Sequence, residues 1–271
     1  MNHDSRMFLT AVEDAVDRDD AYFTQMLPDI SDDVARKLSE DMENNGFAVL
    51  ENYISVQLVA RLQTFVCEIV KKSGGEYVAL SSEDGIKGTL LEKIGQDFRF
   101  LNLLRKIYEK GCREKPPSQT LYQVLRCLNG KSGQEHAYIF HFDSYVITAL
   151  LPIVVPESGN KGGLIMLPNL RKIRSSYFFN LIDKILIDNR LSQILFRMLS
   201  HKGKIPLVSV PITPGNIYFF WGYRSLHANE ACDPDKIRAT ALFHFGDPHV
   251  NSNLRKYMGK VKITATDNIK F

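Results

Sequence analysis

Near Thr120 the hydrophobic period of this chain changes, and the change constrains its fold more than any other feature. Ahead of Lys115-Pro116-Pro117, apolar residues recur at helical spacing. Ser31-Asp32-Asp33 can cap a helix to about Asn45, where Gly46 stops it, and Ser55 can cap a second through Lys72, before Gly74-Gly75. Gly46 to Asn52 reads as a short strand, residues 76–95 as a polar, Gly-containing loop, and Phe98 to Lys110 as a third helix. Beyond Thr120 the chain breaks into short, β-rich, turn-bounded runs: Leu121 to Leu128, Tyr138 to Asp143, Tyr145 to Val155, Gly163 to Leu167, Leu207 to Val210, Asn216 to Trp221 and Arg238 to Phe245. Helices followed by a run of strands predict an α+β domain in which helices buttress one sheet of a jelly roll. Residues 1–271 are read as one domain, with a helical N-terminal extension (1–45) and a helical insert (170–205).

Composition narrows the function classes. With 271 residues, 44% of them hydrophobic, the chain can bury one sizeable core. Cys67, Cys112, Cys127 and Cys232 show neither C-x-x-C nor zinc-like pairing, so reduced structural thiols are expected. No apolar run reaches membrane-spanning length and Met1-Asn2-His3-Asp4 begins no signal peptide, which makes a cytoplasmic location the expectation. A net charge of +3 is too small to argue for nucleic acid. Its distribution is uneven: four Lys/Arg oppose twelve Asp/Glu through residue 45, whereas eight Lys/Arg oppose two Asp from Leu170 to Ile205.

The strand-rich half carries an ordered donor set. On extended backbone, residues i and i+2 point to one face, so His141 and Asp143 can grip one ion together, and His227 can close the triad from a distant strand. Two His and one carboxylate are the donors of a mononuclear Fe(II) site with three open positions. Arg238 and Thr240 share a face of a largely apolar strand, where a buried guanidinium needs an anionic partner such as the far carboxylate of a 2-oxo acid. Arg224, Arg126 and Tyr122 are further candidates for that cosubstrate. Glu135, Tyr145, Trp221 and Asn229 are candidates for the substrate. His136, His201, His244 and His249 are expected to be structural, with His244 facing the same interior as Arg238.

The set His141-Phe142-Asp143, then His227, then Arg238-x-Thr240 resembles the signature of the Fe(II)/2-oxoglutarate-dependent oxygenases. Gly46 to Tyr53 and Pro214 to Phe220 are similar to segments of the phytanoyl-CoA dioxygenase-like superfamily. Trp221 to Asn229 resembles its branch of free-amino-acid hydroxylases and halogenases. The resemblance implies a double-stranded β-helix (cupin-like) core and Fe(II), 2-oxoglutarate and O2 as metal and cosubstrates. Halogenase relatives have a small residue at the carboxylate position, so Asp143 implies hydroxylation in place of halogenation.

These readings converge on hydroxylation of an unactivated aliphatic carbon of a small polar metabolite, with a free amino acid or derivative as the first substrate class. One alternative is an anionic substrate, an acyl-CoA or a lipid-core sugar acid, suggested by the basic insert. Another is a non-catalytic jelly-roll binding module, which would be expected to lose a ligand. The insert itself is expected beside the barrel mouth as a lid, with a buttress outside a sheet as the competing arrangement.

Overall fold

The computed structural model describes residues 27–257, so the N-terminal extension is seen only from Leu27 onward. Helix α1 (Asp32–Asn44) starts where the Ser31 hydroxyl accepts the Val34 amide and ends before Gly46, whose φ of +87° and contact with Pro168 require the missing side chain. Strand β1 (Ala48–Leu50) leads to α2 (Val56–Lys72), capped by Ser55. Leu62, Phe65, Val66 and Ile69 form its buried stripe, each contributing about 1.5–3 kcal/mol by leaving water.

The segment read as a loop, 76–95, is more ordered than its polarity implies. Strand β2 (Val78–Ser81) extends the large sheet as an edge strand, stabilised by pairing that its own sequence does not encode. Helix α3 (Leu90–Gln96) opens on a reciprocal cap: the Thr89 hydroxyl accepts the Glu92 amide and the Glu92 carboxylate takes the N–H of Gly88, the residue before the cap, at 2.6 Å. Helix α4 (Phe98–Cys112) follows on the cap of Asp97.

The strands β3 (Leu121–Leu128), β4 (Ile147–Val154), β5 (Leu164–Leu167), β6 (Val208–Val210), β7 (Ile217–Phe220), β8 (Leu226–Asn229) and β9 (Arg238–Phe245) are divided between two antiparallel sheets. The large sheet runs β1-β7-β4-β9-β3-β2 and the small one β6-β5-β8. Two facing antiparallel sheets that the chain crosses between in this way form a double-stranded β-helix, the jelly roll expected from the strand run. Side-chain alternation sorts the large sheet. Ala149, Leu151, Phe219, Ala239, Ala241 and Phe243 face the helices, while Thr148, Leu150, Phe220, Thr240 and Leu242 face the interior between the sheets.

One expected strand is not a strand. Between the short helix α5 (Gly130–Glu135) and β4, residues 138–143 lie along β8 but bond to it only at Tyr138 and His141, and Tyr138 adopts φ +55°. The side chain of Gln193 takes up both backbone groups of Phe140, accepting its N–H at 2.9 Å and donating to its C=O at 2.7 Å. A side-chain amide thus stands where a neighbouring strand would pair.

Gln193 belongs to the insert, which forms α6 (Tyr177–Asp188) and α7 (Arg190–His201). Its inward residues Ile187 and Phe196 pack with Phe140, Phe142, Leu226 and Ala228 on the outside of the small sheet. That is the buttress arrangement, selected by the apolar outer face of β8. Arg171, one of the eight Lys/Arg of the insert, is buried. It bonds Tyr223 O, Asp183 and Asn180 at 2.7, 2.8 and 3.0 Å, and its guanidinium lies 4.0 Å from the Phe142 ring centroid and 4.2 Å from that of Tyr223.

Candidate active site

Between the sheets, His141, Asp143 and His227 offer ligand atoms that all lie within 4.8 Å of one another. Asp143 Oδ1 is 3.7 Å from His141 Nε2, and Oδ2 is 3.5 Å from His227 Nε2. Each imidazole is turned by its other nitrogen: Nδ1 of His141 lies 3.0 Å from Ile139 O and Nδ1 of His227 lies 3.0 Å from Ser225 O. A carbonyl only accepts, so both Nδ1 atoms carry the proton and both Nε2 lone pairs point at the shared centre. The main chains of the two ligands are cross-tied as well, His141 N to His227 O at 3.0 Å and His227 N to His141 O at 3.1 Å.

Asp143 is held by two hydrogen bonds. Its amide donates to Gly222 O at 3.0 Å, and the Thr148 hydroxyl donates to Oδ2. With that proton committed, Thr148 Oγ1 accepts from His244 Nδ1 at 3.1 Å. A Cβ on Gly222 would overlap both the Thr148 hydroxyl and the Asp143 carboxylate, so this glycine keeps the carboxylate in place. Thr148→Val keeps the shape and removes the donor. We expect it to weaken divalent-metal binding by about 10–100-fold, as loss of a partner to a metal ligand generally does, measured by Co(II) titration.

The electrostatics suit a cation. Burial pushes Asp143 up, yet the imidazoles of His227, His244 and His141 and the Thr148 hydroxyl outweigh it and hold the carboxyl below its ordinary range. The enclosed ring of His141 is pushed down to about 4, with His227 adding to the effect. His244 is lowered by burial, against the pull of Asp143. At neutral pH His141 is therefore an unprotonated donor beside a carboxylate.

Arg126, Asn229, Thr240, Leu242, Leu150, Leu164, Phe220 and His244 complete the lining. Arg126 of β3 lies directly across from Thr240 of β9. Arg238 is fully buried behind Asn229, to whose Oδ1 its NH2 donates at 3.0 Å. Burial lowers Arg238 to about 10, and the nearby Arg126 charge adds to the shift. Neither guanidinium has a carboxylate partner among the described residues. Two buried polar atoms here, Arg238 Nε and the Thr240 hydroxyl, have no hydrogen-bond partner.

Not every candidate reaches this cavity. Arg224 is locked to Glu43 of α1 by two bonds of 2.7 and 2.8 Å, which makes it a tie between helix and barrel. Trp221 is buried in the core and packs against Gly111 of α4, on the helix side of the large sheet. Glu135 is exposed at the end of α5. Tyr122 and Tyr145 stack in parallel with centroids 6.0 Å apart, and each also lies against His244. His136 stacks on Tyr77 and His249 bonds Tyr223, both structural roles. His244 belongs to the cavity. Thr148 and Gly222 were missed; for Thr148 the available signal was strand alternation, which places it with Leu150 on one face of β4.

No family model matches the chain, and no curated protein matches it. Solved structures do match in fold. A prolyl hydroxylase from Trichoplax adhaerens, in complex with a hypoxia inducible factor oxygen degradation domain peptide fragment, is 12% identical, with 82% of this chain and 93% of that one covered and a TM-score of 0.51. A prolyl 4-hydroxylase from Phytophthora capsici is 10% identical over 85% of this chain and 71% of that one, TM-score 0.52. HygX from Streptomyces hygroscopicus, with nickel and 2-oxoglutarate bound, is 12% identical over 81% and 88%, TM-score 0.52.

Proposed function

We propose that this chain is an Fe(II)/2-oxoglutarate-dependent dioxygenase that hydroxylates an unactivated aliphatic carbon of a small polar metabolite, with a free amino acid or its derivative as the first substrate class. One observation carries the reading. A three-donor, metal-competent cluster shares its cavity with Arg126 and the orphaned Thr240 hydroxyl, and Arg238, whose Nε lacks a partner, lies buried behind Asn229; an added anion would supply the partner that neither guanidinium has among the described residues. The residues fit both groups. His141, Asp143 and His227 would hold the metal, while Arg238, Thr240 and Arg126 would take the carboxylates of the oxo acid, with Asn229 orienting Arg238. HygX, which shares the fold and was crystallised with 2-oxoglutarate, supports the cosubstrate.

Fe(II) with 2-oxoglutarate and O2 supplies an oxidant able to cleave an unactivated C–H bond, releasing succinate and CO2. The protein's part is positional. Ile139 O and Ser225 O fix the imidazole tautomers, Thr148 and Gly222 fix the carboxylate, and Leu150, Leu164, Phe220 and Leu242 keep the cavity apolar around them.

The test is to incubate the anaerobic Fe(II)-loaded protein with 2-oxoglutarate, admit O2, and screen metabolites for substrate-triggered succinate release. Because Asp143 fills the position that halogenases leave open, the product in high chloride is expected to gain one oxygen, derived mainly from O2. A chlorinated product by mass spectrometry contradicts this. An anionic substrate is the second reading, favoured by Arg126, which lines the cavity with no acidic partner among the described residues. A panel rich in carboxylates and phosphates separates the two. Absence of Fe(II)-dependent succinate across all panels would leave a binding module.

A further inference from the structure

While the inner faces of α6 and α7 pack on the small sheet, their outer faces are apolar. Phe178, Ile185 and Leu186 on α6 and Leu191, Ile194 and Leu195 on α7 are between 49% and 80% exposed. Their spacing recurs at three, four and seven residues, the mark of a helical stripe made to be covered. The helices join directly at Asn189, whose side chain caps α7 and holds the end of α6, so both stripes belong to one rigid hairpin. Neither helix is long and apolar enough to cross a membrane.

The charge around this face identifies what covers it. Lys172, Arg190, Lys202 and Lys204 are exposed and make no ion pair among the described residues, and Asp188 is the one exposed acid between residues 170 and 205. A second copy docking through the same face would set like charge against like, which disfavours an isologous dimer. An anionic lipid surface satisfies both halves of the pattern: acyl chains and glycerol take the Phe, Ile and Leu side chains, and headgroups take the cations. An apolar face with unpaired cations at the ends of its two helices supplies the two signals that stable peripheral attachment needs.

We propose that the α6–α7 hairpin is a peripheral membrane anchor that lays its apolar outer face into the headgroup region of an anionic bilayer. Its opposite, inner face bears, through Gln193 and Lys184, on the segment that carries His141 and Asp143, so the hairpin stands between the docked surface and the ligand-bearing segment. The inference stands on the exposed face alone and is independent of the chemistry assigned to the cavity.

The experiment is co-sedimentation of the full chain with vesicles of phosphatidylcholine alone or mixed equally with phosphatidylglycerol. Wild type is expected to bind the mixed vesicles and to release as salt rises. Lys202→Gln with Lys204→Gln should weaken binding by about fivefold for each cation removed. Phe178→Ser with Leu195→Ser, both at exposed positions, should weaken it by about tenfold or more with the fold unchanged by circular dichroism. Wild type that stays in the supernatant with both vesicles overturns the proposal. So does binding that neither pair of substitutions alters. A wild-type dimer that Phe178→Ser with Leu195→Ser converts to monomer, without vesicle binding, assigns the face to self-association instead.

Discussion

Asp143→Ala and His227→Ala are each expected to reduce Fe(II)-dependent succinate formation to below about one per cent of wild type. Partners of metal ligands already carry about 10–100-fold in affinity or activity, and a ligand itself exceeds that. The fold is expected to survive both changes. His227 keeps its main-chain bonds to residue 141 whatever its side chain, and the Asp143 amide stays on Gly222 O. Thermal unfolding of the metal-free variants should therefore match wild type within a few degrees while Co(II) binding is lost. Wild-type succinate production by both variants would remove the triad from the chemistry.

On the proposed function, Arg238→Ala is expected to raise the 2-oxoglutarate requirement steeply while the metal still binds. Truncating one partner of a buried, hydrogen-bonded charge pair costs about 2–5 kcal/mol, or about 30- to several-thousand-fold in affinity. The geometry adds a control and a rival. Arg224, once a candidate for the same role, is held by Glu43, and Arg224→Ala should leave 2-oxoglutarate affinity unaltered. Arg126 lines the cavity directly. An unchanged affinity in Arg238→Ala, with a large loss in Arg126→Ala, transfers the carboxylate-binding role to Arg126.

Much of this arrangement was legible before any coordinates. Caps at Ser31 and Ser55, the glycine stop at Gly46 and the alternation along Arg238 to Phe245 are local signals, and the structure reproduces them because nothing distant competes. The donor set was legible for the same reason: ligand identity is written in residue type. What was hidden depends on register between distant segments. Nothing near Thr148 announces a bond to Asp143, and nothing in Trp221-Gly222 says that a side chain at 222 would strike that carboxylate. Residues 138–143 read as a strand because their composition is strand-like. Their pairing was taken by Gln193, a residue whose role only the folded insert reveals. Arg224 and Trp221 lie close to His227 in sequence yet point to the helix side, where α1 and α4 receive them.

The reciprocal main-chain bonds between His141 and His227 have an evolutionary corollary. Backbone amides are indifferent to the side chains they carry, so the crossing of these two segments is written separately from the chemistry performed there. A lineage can exchange an imidazole or the carboxylate without parting the sheets or opening the cavity. On the proposed function, a metal-free binder or a centre with altered coordination is then one substitution distant from this chain, and drift between catalysis and recognition would pass through folded intermediates.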